Sequence, residues 1–98
     1  MKRYKKVYMD FFDLVPEDRV PCEVCRKAVA VDIHHCEQRG MGGDPTGSKD
    51  VIENLLGVCR KCHDMLESDR DANELARSYA KELDDRKNMM RKVLFRGC

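Results

Sequence analysis

Residues 22–63 read CEVCRKAVAVDIHHCEQRGMGGDPTGSKDVIENLLGVCRKCH, and the fold turns on how this stretch closes on itself. It begins with one CxxC pair, Cys22-Glu23-Val24-Cys25, and ends with another, Cys59-Arg60-Lys61-Cys62, with 33 residues (26–58) between them. A tight backbone turn lets each pair present two thiolates to one ion. Two pairs complete a closed tetrahedral sulfur site of the kind that suits structural Zn²⁺. An iron–sulfur cluster takes the same ligands. A redox CxxC belongs with a βαβ pattern that this chain lacks, and disulfides need an oxidising compartment. Of the remaining cysteines, Cys36 is expected to be a small buried apolar residue and Cys98 an exposed terminal thiol.

A metal answers a need set by size. The chain has 98 residues, 42% hydrophobic and 6% aromatic, with no Trp. That is enough for one domain, expected over 1–98, with a core too small to be secure on apolar packing alone. The net charge of +1 gives no bulk attraction to nucleic acid. Phosphate contacts must come from local patches, of which Lys2-Arg3-Tyr4-Lys5-Lys6 is one; the same run also reads as a solubilising N-terminus. No stretch is apolar for long enough to suggest a membrane span. Asp10 and Asp13 interrupt the apolar part of residues 1–15, so a signal peptide is not expected. The expected location is the cytoplasm, whose reducing conditions favour metal-binding thiolates over disulfides.

Working outward from the knuckles, Val29, Val31 and Ile33 alternate with Ala30 and Asp32 as in a short strand. A glycine-rich loop follows (40–47), then Leu55-Leu56-Gly57-Val58 as a second strand, then a helix from about Arg60. Residues 3–14 form an amphipathic helix, with Val7, Phe11 and Leu14 at helical spacing. Residues 70–94 read as one long helix. Its apolar stripe is Ala72, Leu75, Ala76, Tyr79, Ala80 and Leu83, continued by Met90 and Leu94, and serves core or partner packing. The fold class is α+β.

All three histidines lie in the segment the cysteines close: His34, His35 and His63. Neighbouring side chains on a strand point to opposite faces. An adjacent pair near a strand end can therefore divide its labour, one binding a metal and one reaching a water or substrate. Ordinary surface or core histidines are the plainer alternative.

Cys22-x-x-Cys25, Asp32-Ile33-His34-His35, and Asn54-Leu55-Leu56-Gly57-Val58-Cys59-x-x-Cys62-His63 together resemble the HNH endonuclease family. Arg39-Gly40-Met41-Gly42-Gly43 is similar to a loop of small phage-type HNH proteins. The resemblance covers about residues 17–67. It implies a ββα-metal core flanked by the N-terminal and C-terminal helices, and hydrolysis of DNA phosphodiester bonds, with duplex DNA as substrate. It also implies a phage-encoded protein acting in a bacterial cytoplasm. Residue by residue, it implies that His34 and His63 bind one catalytic cation (Mg²⁺, Mn²⁺, Ni²⁺ or Zn²⁺), distinct from the zinc of Cys22, Cys25, Cys59 and Cys62. His35 becomes the general base, and Asn54 orders the loop by hydrogen bonding.

The pattern departs at Glu67, where many relatives carry a third ligand, often His. Spacing of i, i+4 puts Glu67 on the face of His63, and it reads either as a ligand or as a solvated helix charge. Asp32 reads as a partner of a metal ligand or as a turn cap, and Arg39 as a phosphate contact or a structural loop residue. Two rival functions stay open. One is a non-catalytic zinc-ribbon module that grips nucleic acid or protein. The other is an accessory subunit of a phage DNA-packaging complex, docked through its C-terminal helix.

Overall fold

The structure, a computed structural model, describes residues 2–38 and 48–93, the side chain of Val93 excepted. Arg39, the glycine-rich loop, Leu94 and Cys98 lie outside the described residues. In chain order the elements are α1 (Arg3–Phe12), β1 (Asp32–His35), a 3₁₀ turn (Ile52–Asn54), β2 (Leu55–Val58), α2 (Arg60–Ser68), α3 (Arg70–Ala80) and α4 (Leu83–Val93). The class is α+β, as the sequence implies.

β1 and β2 pair antiparallel, with Asp32 opposite Val58, Ile33 opposite Gly57, His34 opposite Leu56 and His35 opposite Leu55. Opposed residues share a face and successive residues alternate. One face therefore carries Asp32, His34, Leu56 and Val58, and the other Ile33, His35, Leu55 and Gly57. Each face has its own core. Leu56 and Val58 pack with Cys22, Cys59 and Cys62, with Leu66 of α2, and with Ala76 and Ala80 of α3. Leu55 packs with Tyr8 and Phe12 of α1 and Met90 of α4, and Ile33 joins it. Being covered on both sides, β2 is buried at all four positions, which is why its sequence is apolar without alternation. Burying Leu55 and Leu56 fully contributes about 1.5–3 kcal/mol each.

The first strand is shorter than the alternation of Val29, Val31 and Ile33 suggests. Val29 makes only an isolated bridge to Pro21, and the ladder starts at Asp32. Val31, ahead of the ladder, is 66% exposed. The C-terminal segment also differs: one helix over 70–94 is replaced by α3 and α4, broken at Lys81-Glu82. Neither Gly nor Pro marks the break. Its cause is tertiary. Met90 packs into the core beside Tyr8 and Phe12, and Lys87 lies over the Phe11 ring. The α3 carbonyl of Ala80 accepts from Arg86 of α4 at 2.6 Å, which holds the bend. Ala72, Ala76, Tyr79 and Ala80 do line the core, but Leu75 is 75% exposed.

Arg86 is the largest fully buried side chain. Its guanidinium donates to both Glu23 carboxylate oxygens (2.9 and 3.2 Å) and to the carbonyls of Ile52 and Leu55. Glu23 also accepts from Tyr8 Oη (2.7 Å) and from the Gly57 N–H (3.0 Å). Burial first, then the Glu23 carboxylate, push the Tyr8 hydroxyl well above its ordinary range, so it stays a donor. This network ties α1, the first knuckle, β2 and α4 together. No helix among the described residues is long and apolar enough to cross a membrane.

Candidate metal centres

The four knuckle cysteines come together although 33 residues (26–58) separate the pairs. The first knuckle is a turn. The Arg26 N–H donates to the Cys22 carbonyl (2.9 Å), Arg26 takes a left-handed conformation (φ 59°), and the Cys25 and Lys27 N–H groups approach the sulfurs of Cys22 and Cys25 at 3.5 Å. The second knuckle is the start of α2, with Cys59 at the N-cap and Cys62 in the first turn. Its free N–H groups and the positive end of the helix dipole favour thiolates there.

The Cys25 and Cys59 sulfurs are 3.9 Å apart. Four sulfurs about 2.3 Å from one ion sit about 3.8 Å from one another, so the spacing fits a tetrahedral sulfur site. Backbone N–H groups, that of Lys27 first, lower the Cys25 thiol to about 6, whereas burial and the neighbouring sulfurs push Cys62 up. Gathered thiolates repel one another, and a cation removes that conflict. These four cysteines can hold a structural metal ion. Cys36 is buried, and burial pushes its thiol up to about 11.

A second cluster lies on the same face of the sheet. His34, His63 and Glu67 bring ligand atoms within 4.8 Å of one another. The Asn73 amide donates to the Cys36 carbonyl (2.9 Å), which turns its oxygen toward His34 Nε2 at 2.7 Å. Nε2 is therefore the protonated nitrogen and Nδ1 carries a lone pair. Burial is the first cause that lowers the His34 pKa, which favours the neutral ring. Among the described residues, His34 Nδ1 is buried with no hydrogen-bond partner, an omission worth about 1–3 kcal/mol unless something fills it.

His63 is arranged in the same way. Its Nδ1–H donates to Asp32 Oδ2 (3.2 Å), leaving Nε2 3.2 Å from Glu67 Oε1. Gln38 donates to the other Glu67 oxygen at 2.9 Å, so Oε1 faces the histidines, 3.9 Å from His34 Nδ1. With His63 neutral and its proton on Nδ1, facing Asp32, the three converging atoms are all acceptors. Bonds of about 2.1 Å to one ion put neighbouring ligands about 3.0–3.4 Å apart; the His63–Glu67 pair stands at 3.2 Å, and His34 Nδ1 is 3.9 Å from Glu67 Oε1. The three side chains could hold a metal ion, with Glu67, itself exposed, on the same side as the two histidines.

His35 leaves β1 on the opposite face, as alternation requires. Its Nε2 lies 2.8 Å from Asp50 Oδ1, and its ring meets the Tyr4 ring edge-on at 4.9 Å. His34 and His35 nevertheless line one cleft of about 310 Å³ at the end of β1, with Gln38, Glu67 and Asn73. Asn54 bridges two segments. Its oxygen accepts from the Glu37 N–H (2.7 Å) and its amide donates to the carbonyls of Glu37 (3.0 Å) and Lys49 (2.9 Å). Glu37 and Lys49 are also ion-paired.

Sequence reasoning missed Asn73 and Asp50, which hold His34 and His35, because neither belongs to a local motif. An Asn inside a helix and an Asp ahead of a turn carry no signal of their own. Comparison of the chain with protein-family models, with curated proteins and with solved structures returns no match.

Proposed function

We propose that this chain is a metal-dependent DNA endonuclease of the HNH type, with β1, β2 and α2 as its ββα-metal core and duplex DNA as its substrate. The observation that carries the reading is the convergence of His34 Nδ1, His63 Nε2 and Glu67 Oε1, each with its other polar atom held by a neighbour. A purely structural zinc module has no use for this second, half-open set of ligands. The four cysteines would hold a structural Zn²⁺ that keeps the knuckles closed.

A divalent cation on His34, His63 and Glu67 would supply charge stabilisation at the phosphoryl and leaving oxygens. The chain's own residues do the rest. His35 accepts a proton from the water whose oxygen bonds to phosphorus. The P–O3′ bond breaks, the leaving oxygen gains a proton from solvent, and the products carry a 5′-phosphate and a 3′-hydroxyl. Asn73 and Asp32 keep the two ligand histidines in the tautomers that offer lone pairs to a cation. Asn54 holds the backbone at residues 37 and 49.

The test is cleavage of supercoiled plasmid in Mg²⁺, Mn²⁺ or Ni²⁺, beside EDTA and beside His35→Ala. Cutting that needs the divalent ion and falls about 10²–10⁴-fold in His35→Ala is expected. Equal behaviour of wild type and His35→Ala, or no cutting with any ion, overturns the reading in favour of a non-catalytic zinc module or an accessory subunit.

A further inference from the structure

We propose that Asp50 is a positioning residue for His35 and that Asn54 acts on His35 through it. The His35 side chain is 13% exposed and that of Asp50 2%, and the two meet at 2.8 Å. A carboxylate only accepts hydrogen bonds. The nitrogen facing Asp50, Nε2, is therefore the one that carries the proton, and Nδ1 is the nitrogen left with a lone pair. The Tyr4 ring, edge-on at 4.9 Å and 77°, restricts rotation of the imidazole from the α1 side. Asp50 is itself placed by its neighbour in the chain. The Lys49 carbonyl is bound by Asn54 Nδ2, and Asn54 in turn is bound twice to Glu37. A line of contacts thus runs from Asn54 through Lys49 and Asp50 to His35. Removal of Asn54 would loosen the base without touching it.

The role in catalysis rests on the nuclease reading above; the tautomer does not. The experiment uses the full chain, zinc-loaded and ¹⁵N-labelled at histidine, with the His35 signals assigned by their loss in His35→Gln. Two-bond ¹H–¹⁵N spectra should show His35 as the Nε2–H tautomer in wild type. Asp50→Asn, whose amide oxygen still accepts, should keep that tautomer, and Asp50→Ala should shift His35 toward the Nδ1–H form. Single-turnover plasmid cleavage should fall about 10–100-fold in Asp50→Ala, as for loss of other orienting partners, with DNA affinity unchanged and partial rescue in Asp50→Asn. An unchanged tautomer and an unchanged rate in Asp50→Ala overturn the proposal. Should Asp50→Ala fail to fold, wild type and Asp50→Asn decide it, since an Nδ1–H tautomer in wild type sinks the idea. If wild type does not cut at all, the nuclease reading falls, and the spectra alone still decide whether Asp50 sets the state of His35.

Discussion

Two clusters of potential metal ligands share one face of the same small sheet, and they are built in opposite ways. The four cysteines are a closed set, with Cys22, Cys59 and Cys62 buried and Cys25 half-buried. They sit in the core itself, against Leu56, Val58 and Leu66. The other cluster has three donors of unequal exposure, from buried His34 to exposed Glu67, and opens on a cleft. A closed sulfur set leaves no coordination position for a substrate, whereas three nitrogen and oxygen donors leave several. The contrast teaches how burial would divide the labour: the sulfur set could hold a structural ion, and under the proposed function the open set would serve chemistry.

That division can be broken first at its strongest point. Cys22→Ser should leave the chain largely unfolded, because metal binding and folding are coupled in a domain of this size. Loss of dispersion in the amide NMR spectrum is the readout, and a folded spectrum would show that the sulfur cluster is dispensable. The next largest effect lies behind the first knuckle. Arg86→Ala leaves Glu23 buried without its counter-charge and should lower unfolding free energy by about 3–5 kcal/mol in urea titrations. Gly57→Ala comes third. A Cβ there would stand 2.5 Å from Tyr8 Oη, which Glu23 holds in place, and the strain should cost about 1–3 kcal/mol by the same titration. The smallest effect belongs to the open cluster. Glu67→Gln, at a side chain 43% exposed, should change stability by less than about 0.5 kcal/mol, yet weaken divalent-ion binding measurably. A large loss of stability there would erase the distinction between the two sites.

The parts that the sequence makes legible are those with short-range signatures. The CxxC spacing points to the sulfur cluster, the run Leu55–Val58 to β2, and Arg60 to the start of α2. The alternation at His34 and His35 shows in advance that they part company across the strand. What the sequence hides depends on contacts distant along the chain. The break at Lys81-Glu82 exists because Arg86 reaches Glu23 and Met90 reaches the α1 side, and no breaker residue records it. Asn73 is an unremarked helix residue until α3 brings it to His34. The strand at Val29–Ile33 misleads because alternation describes only which way side chains point, not whether anything covers them, and Val31 is left exposed.

The proposed function requires the histidine–glutamate cluster to be a second metal site, independent of the sulfur cluster. Calorimetric titration of Mn²⁺ into the zinc-loaded protein and into His63→Ala tests it most directly. One bound Mn²⁺ is expected in wild type, with binding lost or much weakened in His63→Ala and zinc retained in both. Equal Mn²⁺ binding by the two proteins, or none by either, would contradict it.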